Sequence, residues 1–198
     1  MTPAQDASTA GPAQRVLITG ASSGIGRALA LEYGRRGAIV GLAARNVDAL
    51  QVLRGRIGEA RCLVYRADVR DAQAMREVAT DFCARNAGID VVVANAGVSV
   101  GTLTAYAEDE AVFREILEIN VLGLFHTFQP FLAPMQAVGR GRLVGIASVA
   151  GFRGLPGSGA YSASKAAAAR YLESLRVELH GSGIRVVTIS PGYIATNM

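Results

Sequence analysis

The chain has 198 residues, of which 51% are hydrophobic and 18% charged, a balance that suits one globular domain and excludes disorder over the whole length. The formal net charge of +4 does not indicate nucleic-acid binding, because basic residues are interspersed with acids and no basic run carries aromatic residues.

The lack of a recognisable targeting signal and the low cysteine content predict a protein of a reducing compartment. No apolar run reaches the roughly 18 to 20 residues of a membrane helix, and the N-terminus lacks the basic start and apolar stretch of a secretory signal. Cys62 and Cys83 are too few for a framework of disulfides and have no metal-ligand spacing around them. We therefore predict a cytoplasmic chain without membrane attachment or bound metal.

The predicted elements begin after a tail. Residues 1–14 are mostly small and polar, which predicts a flexible segment. From Arg15 onward, short β-branched runs alternate with stretches of helical period. The predicted strands are Val16–Thr19, Ile39–Ala43, Arg61–Arg66, Val91–Ala94, Leu143–Ala147 and Val186–Ile189. The predicted helices are Ile25–Arg36, Val47–Ile57, Ala72–Asn86, Glu110–Val138 and Ala160–Gly181.

This alternation predicts the fold class. The strands are continuously apolar, which indicates burial on both faces and hence a parallel sheet. We predict a single α/β domain over residues 15–198, with a doubly wound sheet of strand order 3-2-1-4-5-6 between two layers of helices. Right-handed crossovers place the carboxyl ends of all strands at one edge, where loops can build a site.

A glycine-rich turn follows the first strand, in the segment Thr19-Gly20-Ala21-Ser22-Ser23-Gly24-Ile25-Gly26. The first glycine permits a tight turn, the second lets the backbone approach a phosphate, and the third lets helix and strand pack closely. The N–H groups and dipole of the next helix would hold a pyrophosphate. The expected cofactor contacts are Gly20, Ser22, Ser23, Gly24, Ile25 and Gly26. A plain strand–helix turn is the alternative.

The end of the second strand decides which dinucleotide fits. An NAD site places Asp or Glu about 20 residues after the glycines, on the ribose hydroxyls of adenosine. Here the window reads Leu42-Ala43-Ala44-Arg45-Asn46, without an acid. Arg45 suits the 2′-phosphate of NADP(H), which we predict as the preferred cofactor. If Arg45 is only a solvated arginine, NAD(H) is possible.

The segment Tyr161-Ser162-Ala163-Ser164-Lys165 places a phenol and the only lysine of the chain four residues apart on one helix face. A phenol titrates near pH ~10, too high for efficient proton transfer at neutral pH, but a nearby ammonium favours the phenolate. Tyr161 and Lys165 can therefore move a proton to or from a carbonyl or alcohol oxygen, to which Ser148 could donate a hydrogen bond. A surface Tyr–Lys pair is the alternative.

Together, the glycine turn, the Tyr–Lys pair and the alternation resemble the short-chain dehydrogenase/reductase family over residues 15–198. The resemblance implies that Tyr161, Lys165 and Ser148 are catalytic, that Asn120 holds a water linked to the lysine, and that the protein forms homodimers or homotetramers. Further cofactor contacts that it implies are Asp68, Val69, Asn95, Ala96, Gly97, Pro191, Gly192, Ile194 and Thr196, with Tyr161 and Lys165 also contacting the cofactor.

Each of these positions also has a plainer interpretation. Asp68 could cap the helix that begins near Asp71, Asn95 could be a turn residue, and Pro191-Gly192 could be an ordinary turn. Asn120 could be a solvated residue on a helix. His126 is interpreted as a core or interface histidine beside Phe125, Phe128 and Phe131, His180 as a helix-end cation, and both cysteines as packing thiols.

We predict from this an NADP(H)-dependent oxidoreductase that interconverts a carbonyl and a secondary alcohol of a small molecule. The alternative is a catalytically silent nucleotide-binding sensor or scaffold of the same fold. Members of the family continue for about 50 further residues with a lid and a seventh strand. The sequence ends at Met198, so it either is cut there or lacks this lid.

Overall fold

A computed structural model describes residues 13–195, in which six parallel strands form one sheet of order β3-β2-β1-β4-β5-β6. The strands are β1 Arg15–Thr19, β2 Ile39–Ala44, β3 Cys62–Arg66, β4 Val91–Ala94, β5 Gly141–Ile146 and β6 Ile184–Ile189. The helices are α1 Gly24–Arg35, α2 Val47–Ile57, α3 Ala72–Asn86, α4 Asp109–Leu117, α5 Gly123–Val138 and α6 Gly159–Glu178. The predicted fold class and strand order are confirmed.

The inner strands β1, β2 and β4 are buried on both faces because nearly all of their residues are apolar. Along β1, Leu17 packs into one apolar cluster and Val16 and Ile18 into another, as expected when successive side chains point to opposite faces. The first cluster includes Phe82 of α3 and Phe128 of α5, whereas helices α1 and α2 cover the second. Burial of each such side chain is worth about 1.5–3 kcal/mol.

The predicted tail lies mostly outside the described residues, which begin at position 13. Gln14, its last residue, is already held by the sheet, because its carbonyl accepts the N–H of Ile39 at 2.8 Å.

The long helix predicted over Glu110–Val138 is wrong in one respect, since a π-turn at Glu118–Leu122 separates α4 from α5. In this turn the N–H of Gly123 bonds the carbonyl of Glu118, five residues back. The turn holds Asn120, whose side chain is buried and bonded to the backbone of Val98. The interpretation of Asn120 as a solvated residue is therefore wrong.

Strands β5 and β6 each begin two residues earlier than predicted. Arg142 and Arg185 are paired in register and exposed, so charged residues stand inside both strands. Because a charged residue interrupts the apolar run, the run alone predicts a strand that begins after it. Helix α6 ends at Glu178 rather than Gly181, and short 3₁₀ turns at Glu59–Arg61 and Val149–Gly151 were not predicted.

The run Asp109–Val138 is 30 residues long and, by length and composition alone, apolar enough to cross a membrane. It is not an unbroken apolar run, which is why the sequence analysis does not predict it as a membrane helix. Its residues Leu124, Phe128, Phe131 and Met135 are buried in the first core cluster. A core helix that packs on a sheet meets the same criterion, so this one feature is weak evidence for a membrane span.

Candidate active site

A cleft of about 600 Å³ opens over the carboxyl ends of the strands. It collects nearly all predicted site residues from segments that are far apart in the chain. The predicted residues that line it are Gly20, Ser22, Ser23, Gly24, Ile25, Arg45, Asp68, Val69, Asn95, Ala96, Gly97, Ser148, Tyr161, Lys165, Pro191, Gly192 and Ile194. Gly26 and Asn120 are not among the lining residues, and Thr196 lies outside the described residues.

The glycine turn leaves no room for side chains. Gly20 has a φ of +64°, and a Cβ on it would approach the Cα of Ala96 to 2.7 Å. A Cβ on Gly26 would clash with the carbonyl of Gly20 and the side chain of Asn95. Ser23 precedes α1, but its side chain does not cap the first N–H groups of the helix.

Asn95, which follows β4, stabilises this turn with hydrogen bonds. Its Nδ2 donates to the carbonyls of Thr19 and Gly20, both at 3.1 Å. Its backbone N–H donates to the hydroxyl of Thr19 at 3.2 Å, and the N–H of Ala96 donates to the same hydroxyl at 3.3 Å. Asn95 is therefore more than a turn residue. Thr19, which is fully buried, was missed by the sequence analysis as part of the site.

At the far end of the cleft, an exposed Arg45 lies near Asp68. The Asp68 carboxylate accepts hydrogen bonds from the Arg70 guanidinium. The distance from Nη2 to Oδ2 is 2.6 Å, and Nε lies 3.1 Å from each carboxylate oxygen. The Arg70 guanidinium lowers the pKa of Asp68 through these bonds. Asp68 does not cap α3, because Asp71 does so by accepting from Gln73 and Ala74.

At the other end, Tyr161 and Lys165 lie together on α6. The Lys165 ammonium is 5.7 Å from the centroid of the Tyr161 ring and donates to the carbonyl of Ile146 at 2.9 Å. Only 5% of Lys165 is exposed, and this burial lowers the pKa of its ammonium to about 8. Ser148 follows β5, and its Oγ accepts from the N–H of Ala150 at 3.1 Å.

Lys165 makes the stability of the protein depend on pH. Because its pKa is about 8 when folded and 10.5 ordinarily, the unfolded chain binds more protons between these values. The contribution of Lys165 to the free energy of unfolding therefore increases across this pH range, by an amount on the order of 3 kcal/mol. Urea unfolding should show this increase in the wild type relative to Lys165→Met. A difference between the two proteins that is flat from pH 8 to 10.5 would contradict the burial of a charged lysine.

The family model described as short chain dehydrogenase matches residues 14–198. The chain belongs to the short-chain dehydrogenase/reductase family.

Relatives in the short-chain dehydrogenase/reductase family include an uncharacterized oxidoreductase of Myxococcus xanthus, 45% identical over 92% of this chain and 72% of its own. The structure of actinorhodin polyketide ketoreductase with NADPH has a TM-score of 0.88 and 33% identity, covering 94% of this chain and 72% of that one. The 3-ketoacyl-(acyl-carrier-protein) reductase of Brucella melitensis with NADH has a TM-score of 0.87 and 26% identity, covering 92% and 76%.

The cleft fits the dinucleotide that short-chain dehydrogenase/reductases bind. The glycine turn lines the cleft at Gly20 and Gly24, where no side chain separates its backbone from a ligand, and the lining extends from Arg45 to Tyr161. A volume of about 600 Å³ lies in the range of ordinary ligand sites. Within residues 13–195, no group of three or more His, Cys, Asp or Glu side chains could hold a metal ion.

The histidines, the aromatic residues around His126 and the two cysteines do not line the cleft that holds Tyr161 and Lys165. His126 is half-buried, and its Nδ1 is 3.0 Å from the carbonyl of Val69, while His180 is exposed beyond α6. Phe125 is exposed, unlike Phe128 and Phe131, and its ring makes edge contacts with His126 and Tyr171. Burial raises the pKa of both cysteine thiols, that of Cys62 to about 11, so they stay protonated at neutral pH.

Proposed function

We propose that the protein is an NADP(H)-dependent oxidoreductase that interconverts a carbonyl and a secondary alcohol. The observation that carries this proposal is the shared cleft: the Tyr161–Lys165 pair lies in the same cavity as the glycine turn of a dinucleotide site. A buried ammonium beside a phenol is an arrangement for proton transfer, and a dinucleotide site beside it suits hydride chemistry.

Four side chains carry the proton chemistry in this proposal. In the reductive direction Tyr161 donates its phenolic proton to the substrate oxygen, and in the oxidative direction the phenolate takes the proton back. The Lys165 ammonium, 5.7 Å from the centroid of the Tyr161 ring, stabilises negative charge that develops on the phenolic oxygen during the transfer. Ser148 donates a hydrogen bond to the same substrate oxygen. Asn120 holds a relay water only through its remaining acceptor capacity, because both of its side-chain amide hydrogens already bond Val98 and Ser164.

The cofactor would be held along the whole cleft. The backbone of the turn at Gly20–Ile25 would bind the pyrophosphate, Asp68 and Val69 the adenine, and Pro191, Gly192 and Ile194 the nicotinamide end. Lys165 would also reach the ribose hydroxyls. When bound, the nicotinamide ring supplies or accepts the hydride.

The charges at the adenosine end support NADP(H) over NAD(H). Arg45 lines the cleft, and the nearby Asp68 carboxylate is paired with the Arg70 guanidinium, which weakens its repulsion of a 2′-phosphate. The Arg70 guanidinium is taken up by Asp68 and Glu115, and position 23 is serine rather than a basic residue, so Arg45 is the cation proposed for the 2′-phosphate.

Arg45→Ala tests this preference. We expect the affinity for NADPH to fall about 10-fold or more while that for NADH changes little, because a charge-assisted contact to phosphate is lost. Titration of both cofactors into wild type and variant measures the effect, with Arg56→Ala, an exposed arginine of α2 outside the lining of the cleft, as control. Equal affinities of the wild type for the two cofactors would contradict the proposed preference.

The alternative function, a catalytically silent nucleotide-binding sensor or scaffold, is not favoured by membership of a family of dehydrogenases and reductases. Consumption of NADPH in the presence of a panel of ketones separates the two. The oxidoreductase consumes NADPH with at least one of them, whereas a sensor binds the cofactor without turnover with any.

The proposal includes a small-molecule substrate and a homo-oligomer, in the cytoplasm and without nucleic acid or membrane as partner. Leu122, Phe125 and Val138 are large apolar side chains exposed along the π-turn and α5. A second copy of the chain would remove them from water.

A further inference from the structure

Ser164 is a fully buried serine between Tyr161 and Lys165 on α6. Its hydroxyl donates to the backbone carbonyl of Tyr161 at 2.7 Å. The same oxygen accepts a hydrogen bond from Nδ2 of Asn120 at 2.9 Å. One hydroxyl thus connects the first turns of α6, which carry Tyr161 and Lys165, to the π-turn that carries Asn120.

The chemistry of the groups sets the direction of these bonds. The Nδ2 of Asn120 can only donate, so the Ser164 oxygen accepts and its own proton points to the Tyr161 carbonyl. The other amide hydrogen of Asn120 bonds the carbonyl of Val98 at 3.0 Å, and its Oδ1 accepts the N–H of Val98 at 2.9 Å. A flipped amide would place NH2 against the N–H of Val98, so the amide has one orientation.

This chain of bonds lies beside the lysine. A Cβ built on Gly97 would lie 3.2 Å from the Oδ1 of Asn120 and 3.4 Å from the Nζ of Lys165. Asn120 and Lys165 therefore both lie next to the backbone of Gly97, and Asn120 is bonded to the following residue, Val98. A shift of Asn120 would change the surroundings of the ammonium.

We propose that Ser164 is a positioning residue of the reaction proposed above, on which this inference rests. Its hydroxyl holds the Tyr161–Lys165 turn of α6 in a fixed place relative to Asn120 and the backbone of Val98. It does not touch substrate or cofactor, since it is fully buried and is not among the residues that line the cleft.

Removal of the hydroxyl leaves one hydrogen of a buried amide without a partner. Asn120 is only 2% exposed, so either its side chain moves or water enters the space that the hydroxyl occupied. Both outcomes loosen the turn that carries Tyr161. Small misplacements of catalytic groups lower rates strongly, up to about 100-fold for 1 Å.

The experiment compares Ser164→Ala with Thr127→Val in steady-state kinetics. For Ser164→Ala we expect kcat to fall about 10-fold while KM for NADPH and for the ketone stays within about 2-fold. In the direction of alcohol oxidation, the midpoint of the pH profile should move away from the wild-type value, because the ammonium and the phenol are no longer held in one arrangement.

Thr127 provides a matched control. It is fully buried on α5, and its hydroxyl donates to the carbonyl of Gly123 at 2.7 Å, a bond of the same kind as that from Ser164 to Tyr161. Thr127→Val should lose similar stability in urea unfolding yet keep the wild-type kcat and pH profile. Ser164→Cys, which places a slightly larger and only weakly hydrogen-bonding group at the same position, serves in the same assays if the alanine variant does not fold.

The inference is overturned if Ser164→Ala loses stability as Thr127→Val does but keeps the wild-type kcat and pH midpoint. An equal loss of kcat in both variants overturns it too, because the effect would then be general to buried hydroxyls. Absence of NADPH consumption by the wild type with any ketone contradicts the proposed function instead, so the two failures are distinguishable.

Discussion

Tyr161→Phe is expected to lower turnover about 100- to 10,000-fold, the range that a positioned proton donor contributes to catalysis. The substitution removes a single oxygen and leaves the ring beside the Lys165 ammonium. Binding of NADPH should therefore persist, because the glycine turn and Arg45 are untouched. Ketone-dependent oxidation of NADPH measures turnover, and a separate fluorescence titration measures the cofactor affinity.

Tyr171→Phe is the control for this prediction. Tyr171 lies on the same helix, is half-buried and contacts the ring of Phe125, away from the cleft. Its variant should retain wild-type turnover. Turnover of Tyr161→Phe within a few-fold of the wild type would refute the assignment of Tyr161 as acid and base.

Gly26→Ala is expected to weaken both folding and cofactor binding. The added methyl would clash with the carbonyl of Gly20 and the Nδ2 of Asn95, which are joined by a hydrogen bond of 3.1 Å. Since overpacking of this kind costs about 1–3 kcal/mol, urea unfolding should show a loss of that size. The displaced turn should also bind NADPH at least about 10-fold less tightly, because its backbone is the proposed pyrophosphate site.

Gly55→Ala is the matched control for that substitution. Gly55 is an exposed residue of α2 with no atom within 4 Å of the position that its Cβ would take. The same chemical change should therefore stabilise the protein, by up to about 1 kcal/mol, because alanine favours a helix over glycine. A Gly26→Ala variant that is as stable as Gly55→Ala and binds NADPH normally would show that the third glycine is dispensable.

The local pattern of apolar and polar residues was enough to predict most of the helices and strands. The bounds of α2, α3 and β4 agree with those predicted, because each is an unbroken run of one period that ends at a turn or cap. Tyr161 and Lys165 are four residues apart, so a helix alone brings them to one face. The three glycines of the turn likewise lie close together in the chain, so their spacing predicts the turn without any long-range contact.

Contacts between distant segments could not be predicted in this way. The π-turn at Glu118–Leu122 inserts one residue into a helix without disturbing its apolar pattern, and its Asn120 bonds Val98, 22 residues away. Thr19 and Asn95 are 76 positions apart, yet their hydrogen bond holds the glycine turn. Asp68 was considered as a helix cap, whereas its carboxylate instead pairs with Arg70.

By itself, the sequence determined the alternation of strands and helices, the family and the residue types of the cleft, since these depend on periodicity and on motifs of fewer than ten residues. Tertiary structure alone decided which polar groups support the reactive ones: Asn95 under the glycine turn, Arg70 on Asp68, and Ser164 between Asn120 and Tyr161. The physical reason is that a buried donor or acceptor must find a partner, and the fold determines which segment supplies it.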